Sequence, residues 1–201
     1  DMQEGLWHRV GDEAALIARR VPGVWIIKSA DRVAGARAAI SQGCNTLLLD
    51  DGYQAVALER DENILLVDAR NPFGNGHLVP RGILREPVEA AARATEILLT
   101  RCDQAADLDA LEQTLERLCP KTPIARTRHA PQGLWRVCDG TTLDLAFLQG
   151  RKVCVVCGIA QPESFVATIE ELGAKVVERR FFRDHAVLPE ASLHSEHEIV
   201  L

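Results

Sequence analysis

The 201-residue chain has no excess of positive charge, no long apolar run and no disulfide framework. Each absence closes off a class of protein. Lys and Arg number 23 against 29 Asp and Glu, a formal net charge of -6, which excludes a general binder of phosphate backbones through a basic surface. No apolar run approaches the length of about eighteen residues that a membrane span needs, no signal-peptide pattern opens the chain, and no internal repeat or low-complexity segment interrupts it. The six cysteines, Cys44, Cys102, Cys119, Cys138, Cys154 and Cys157, are scattered and mostly in apolar contexts, which favours reduced thiols in a cytoplasmic protein. "CVVC" at 154–157 has the spacing of a redox motif, but the two valines between its cysteines read as a buried strand.

What is present is ordinary in bulk and alternating in pattern. The chain is 47% hydrophobic and 26% charged, the balance of a soluble globular protein with room for one large or two small domains. "GDEAALIARR" (11–20) has helical spacing with acids in its first turn. "GVWIIK" (23–28) reads as a strand and "DRVAGARAAISQG" (31–43) as a helix closed by Gly43. "TLLLD" (46–50), "NILLVDA" (63–69) and "ATEILLT" (94–100) read as strands whose continuous apolar runs suit a parallel sheet covered on both faces. A Gly/Pro/Arg-rich loop spans 70–87, an amphipathic helix 106–118, and extended structure with a Pro-Gly turn 122–137. Residues 152–160, 162–173 and 175–181 form a second strand–helix–strand unit. The fold class is α/β in two lobes. The break falls within 130–150, placed at 140.

Ligands of open parallel sheets bind beyond the carboxyl ends of the strands, and Asp50 and Asp51 stand there in "NTLLLDDGYQ". Two adjacent anions repel each other, and a divalent cation would relieve that repulsion, as in P-loop NTPases, where acids after an apolar strand hold magnesium. On spacing alone the stretch reads equally as a strand closed by an Asp-Gly turn.

Seven blocks in order narrow the choice: "VGDE" (10–13), "ADR" (30–32), "DDGYQ" (50–54), "VDA" (67–69), "FGNGHLVPRGILREP" (73–87), "CGIAQPESF" (157–165) and "FFRDH" (181–185). Together they resemble the tetraacyldisaccharide 4'-kinase family, the lipid A 4'-kinases of Gram-negative bacteria, across nearly the whole chain. The resemblance implies a P-loop NTPase-like core in residues 1–140, with 70–87 as acceptor loop, and a second α/β lobe in 141–201. It further implies transfer of the γ-phosphate of ATP to the 4'-hydroxyl of an anionic glycolipid, a tetraacyldisaccharide 1-phosphate, at the cytoplasmic face of the inner membrane. Asp12 and His185 match the family's catalytic pair. Asp50 and Asp51 match its acids for Mg2+, with Gln54 beside them on the nucleotide side. Glu13, Arg32, Arg81, Arg85 and Glu86 become candidates for the acceptor. The chemistry suits the residues: an aspartate–histidine pair can take up the proton of a sugar hydroxyl, and arginines grip phosphate bidentately. Without the resemblance, Asp12 reads as a first-turn acid, His185 as an exposed loop histidine, and 70–87 as a solvated loop.

The chain also departs from the pattern. Ala55, Ala186 and Ala14 stand where the family commonly has histidine, a second histidine or aromatic, and proline. No G-x-x-x-x-G-K-[ST] loop is present. The family carries it upstream of "GDE", behind a membrane-anchoring segment. The expectation is therefore a piece of a longer kinase, beginning at Asp1 and ending on "EHEIVL" as a strand starts, and inactive by itself. A non-catalytic lipid- or sugar-phosphate-binding relative on the same scaffold is the alternative. A Rossmann-like enzyme using "CGIAQPESF" is a weaker one, for want of G-x-G-x-x-G.

Overall fold

The computed structural model describes residues 11–184, 186–194 and 199–201, apart from the side chain of Asp12. The chain divides into two units, Asp1–His129 and Ala130–Leu201.

In the first unit, helix α1 (Asp12–Arg20) follows Gly11, and α2 (Arg32–Ser41) is opened by Asp31, whose carboxylate accepts from the Val33 and Ala34 amides at 2.9 and 3.1 Å. That cap satisfies two amides that a helix start leaves without partners. Three parallel strands follow in the order β1 (Ile64–Asp68), β2 (Glu96–Thr100), β3 (Ile124–Arg126). Ile64 pairs with Glu96 and Ile97 with Ile124. Helix α3 (Leu108–Leu118) crosses between β2 and β3, capped by Asp107. Its Leu111 and Leu115, four residues apart and so on one face, join Ile97, Leu99 and Val67 in the core. Ile97, Leu99 and Leu115 are fully buried.

Two of the expected strands do not form. Residues 23–28 and 46–50 join no ladder with any described strand. A strand exists through its neighbour's hydrogen bonds, and an apolar run with no such neighbour has nothing to pair with. The side chains agree: Trp25 is 59% and Leu48 96% exposed.

In the second unit a short hairpin, β4 (Leu134–Trp135) with β5 (Thr142–Leu143), precedes a parallel sheet in the order β7-β6-β8. Central strand β6 (Lys152–Cys157) leads through α4 (Pro162–Glu171) to β7 (Lys175–Phe181), and β8 (Ile199–Val200) pairs on the other side of β6. Val153 to Cys157 are all buried, as a strand covered on both faces requires, so "CVVC" is core. Arg180 at the end of β7 donates to the carbonyls of Ser192 (2.8 Å) and His194 (2.6 Å), tying down the turn Glu190–Leu193.

Candidate functional site

The loop 70–87 is folded on itself. Asn75 Nδ2 donates to the Arg81 carbonyl at 2.9 Å, its Oδ1 accepts from the His77 amide at 3.2 Å, and the Leu84 amide donates to the His77 carbonyl at 3.2 Å. Gly82 sits where a side chain has no room: an added Cβ would lie 2.1 Å from both Asn75 Oδ1 and the His77 carbonyl oxygen. These ties deliver "LREP" to a fixed place, and that place is against "DDGYQ".

Two bridges lace the segments together. Arg85 Nη1 donates to Asp51 Oδ2 at 2.6 Å, and Gln54 Nε2 donates to Glu86 Oε1 at 2.7 Å. Asp51 is in the left-handed region (φ 50), one of two described non-glycine residues at positive φ. Backbone strain of this kind concentrates at functional sites. Asp50 is exposed, and no hydrogen bond or ion pair joins it to another described residue. The Glu86 carboxyl is held below its ordinary range by the Gln54 hydrogen bond, then by the hydrogen bonds and charge of Arg93 and the charge of Arg60, against burial that acts the other way. The Arg85 guanidinium is pushed up by Asp51.

Of the residues singled out by sequence, Asp51, Gln54, Arg85 and Glu86 are thus brought together, with Asp50 adjacent. Arg81 is on the same loop, its side chain exposed. Arg32 opens α2 and donates to the Ser29 carbonyl at 2.5 Å, a local contact. Glu13 lies exposed in the first turn of α1. The Asp12 side chain and His185 lie outside the described residues.

The sequence reading missed three groups. Arg93 Nη2 contacts both Glu86 oxygens at 2.8 and 2.7 Å, and its guanidinium lies 4.8 Å from the centre of the Tyr53 ring. Tyr53 in turn donates to the Ala90 carbonyl at 2.9 Å, and burial pushes its hydroxyl pKa up. Asp68, ending β1, takes Arg101 at 2.6 Å and Arg70 at 3.3 Å. Burial alone would raise its pKa, but the Arg70 hydrogen bonds and the charge of Arg101 prevail and lower it. The available signals were an arginine seven residues beyond Glu86 and the aspartate of "VDA".

Magnesium takes hard oxygen donors, commonly one or two carboxylates completed by water and phosphate. Asp50, with no partner among the described residues, and Asp51, with the exposed Arg85 as partner, fit that donor set. Among the described residues no cluster of three or more potential ligands forms a closed metal cage.

The α/β scaffold of parallel sheets falls in the P-loop kinase fold class, with paired acids meeting an arginine-bearing loop in its first unit. The sequence profile of the LpxK family, tetraacyldisaccharide-1-P 4'-kinase, matches residues 2–199, and the chain belongs to that family. It is 44% identical over 181 residues to the tetraacyldisaccharide 4'-kinase of Anaeromyxobacter dehalogenans (strain 2CP-C), covering 87% of this chain and 47% of that protein. The corresponding protein of Syntrophus aciditrophicus (strain SB) is 40% identical over 184 residues, covering 87% and 49%. The chain thus spans about half the length of the curated relatives it matches. Among solved structures, the "apo" form of LpxK from Aquifex aeolicus, in complex with ATP, superposes with a TM-score of 0.62 at 25% identity, covering 96% of this chain and 63% of that one.

Proposed function

We propose that the full-length protein transfers the γ-phosphate of ATP to the 4'-hydroxyl of a tetraacyldisaccharide 1-phosphate, working peripherally at the cytoplasmic face of the inner membrane. Family membership, the names of the relatives and the ATP in the solved LpxK support this over a non-catalytic sugar-phosphate-binding relative. No described helix is long and apolar enough to cross a membrane. The observation that carries the proposal is the lacing of "DDGYQ" to "LREP" through Asp51–Arg85 and Gln54–Glu86. It puts candidate nucleotide-side acids beside candidate acceptor-side groups in one unit.

Asp50 and Asp51 would hold Mg2+, which when bound offsets charge on the transferring phosphates. Gln54 stands on the same side. Arg85 and Arg81 offer guanidinium donors to the anionic acceptor, Glu86 accepts from a sugar hydroxyl, and Glu13 and Arg32 complete the acceptor and phosphate surroundings. Asp12 and His185 are assigned the uptake of the hydroxyl proton, as the family pattern implies.

The test is Asp50→Asn and Asp51→Asn in the full-length protein, with lipid phosphorylation followed by radiolabel across a magnesium titration. Turnover should fall about 100-fold or more, with the thermal melt unchanged. Near-wild-type turnover in both variants would refute the assignment.

A further inference from the structure

The Arg93 side chain touches both laced segments. From the turn Val88–Arg93 it reaches back to grip both carboxylate oxygens of Glu86 at 2.8 and 2.7 Å. It also approaches the Tyr53 carbonyl at 3.5 Å and lies over the Tyr53 ring at 4.8 Å. Tyr53 sits two residues after Asp51 and is anchored through its hydroxyl to the carbonyl of Ala90, at 2.9 Å, in that same turn. Arg60 adds to the arrangement, its Nη1 donating to the Gly52 carbonyl at 2.5 Å.

We infer that Arg93 is a positioning residue of the kinase reaction: it fixes the Glu86 carboxylate and the "DDGYQ" backbone relative to each other, and so sets the acceptor against the acid pair. The inference rests on the assignment of Glu86 to the acceptor. The chemistry calls for such a part. A glutamate that must present one acceptor oxygen to a sugar hydroxyl has freely rotating torsions, and its orientation is lost unless something holds it. Gln54 holds one oxygen; Arg93 reaches both and cancels the charge. Arg93 and Glu86 are 36% and 25% exposed, open enough for a ligand to approach but shielded enough for the pair to persist. A planar guanidinium can face both the carboxylate and a ring, which an ammonium does less well.

The experiment measures steady-state kinetics of the full-length protein with Arg93→Ala, Arg93→Lys, Glu86→Gln and the double variant Arg93→Ala/Glu86→Gln. Arg93→Ala should raise KM for the glycolipid acceptor about three- to tenfold, with KM for ATP within twofold, as expected for loss of a half-exposed charge-assisted pair. Lysine should restore part of the loss. The double variant should be no worse than Glu86→Gln alone, because Arg93 acts through Glu86. An unchanged acceptor KM in Arg93→Ala, with Glu86→Gln impaired, overturns the role of Arg93 and leaves Glu86 standing. Unimpaired Glu86→Gln overturns the assignment of Glu86 and the inference with it. Equal rises in both KM values, with a lowered melt and no rescue by lysine, assign Arg93 to stability alone and also overturn it.

Discussion

Replacing Gly82 by alanine should disable the 70–87 loop, proposed to hold the acceptor, while leaving the rest of the protein folded. The added Cβ would stand 2.1 Å from Asn75 Oδ1 and from the His77 carbonyl oxygen, more than about 1 Å inside ordinary nonbonded contact. Neither neighbour can withdraw without loss. Asn75 is committed on both ends of its amide, to Arg81 and to His77, and the His77 carbonyl holds the Leu84 amide. The methyl group must therefore push the turn open by about 1 Å. The displaced residue, Leu84, immediately precedes Arg85 and Glu86, so the shift arrives at both bridges to "DDGYQ". A misplacement of about 1 Å in a reacting geometry can cost about 100-fold, and kcat/KM for the glycolipid should fall by that order in the full-length protein. The buried core cluster of the unit lies outside the 70–87 loop, which adds to it only the partly buried Phe73, so the far-UV spectrum should be unchanged and the melt should move by a few degrees at most. A Gly82→Ala protein with kcat/KM within threefold of wild type would show that this close approach does not position the site.

Two further outcomes follow from other parts of the molecule. Leu115→Ala removes a fully buried side chain of α3 and should destabilise the first unit by about 3 kcal/mol, read by urea titration; a loss below about 1 kcal/mol would mean that α3 is not packed on β2 as described. If Asp12 and His185 share one proton-transfer task, the double variant Asp12→Asn/His185→Ala should be no slower than the worse single variant by more than about threefold. Multiplying single effects in single-turnover kinetics would separate the two roles.

Local signals were legible to the extent that a single element decides them. The helical pattern of 31–43, the amphipathic pattern of 106–118 and the valine-rich run of β6 each act within one helix or strand, and each element formed. The segments 23–28 and 46–50 carry the same apolar signal without a paired neighbour, because a strand depends on a partner as well as on composition. The site divides the same way. Paired acids and an arginine-rich loop could be read from order and residue type. Arg93 and Asp68 could not, because their partners are set by how the 70–87 loop returns and by which strand lies beside β1. Glu86 to Arg93 is a short separation in sequence, yet Pro87 and the turn after it decide whether the two side chains meet.

Two of the acids that meet arginines in the first unit, Asp68 and Asp51, differ in a way that bears on chemistry. Asp68 is held by Arg70 and Arg101, all three side chains at 30% exposure or less, with Asp68 ending β1 and Arg101 directly following the adjacent parallel strand β2. Opening that cluster would strand half-buried charges, which is costly, so it braces the root of the 70–87 loop. Asp51 and Arg85 meet at 63% and 62% exposure, and ion pairs so open are worth about 1 kcal/mol or less. They can change partners at little cost. Under the proposed kinase chemistry, that exchange is what the site needs: were Asp50 and Asp51 to hold Mg2+, the Arg85 guanidinium would be left free to take an anionic oxygen of the acceptor. The open pair thus joins two charges that can part at little cost, while the closed cluster at Asp68 keeps the loop that carries Arg85 in place.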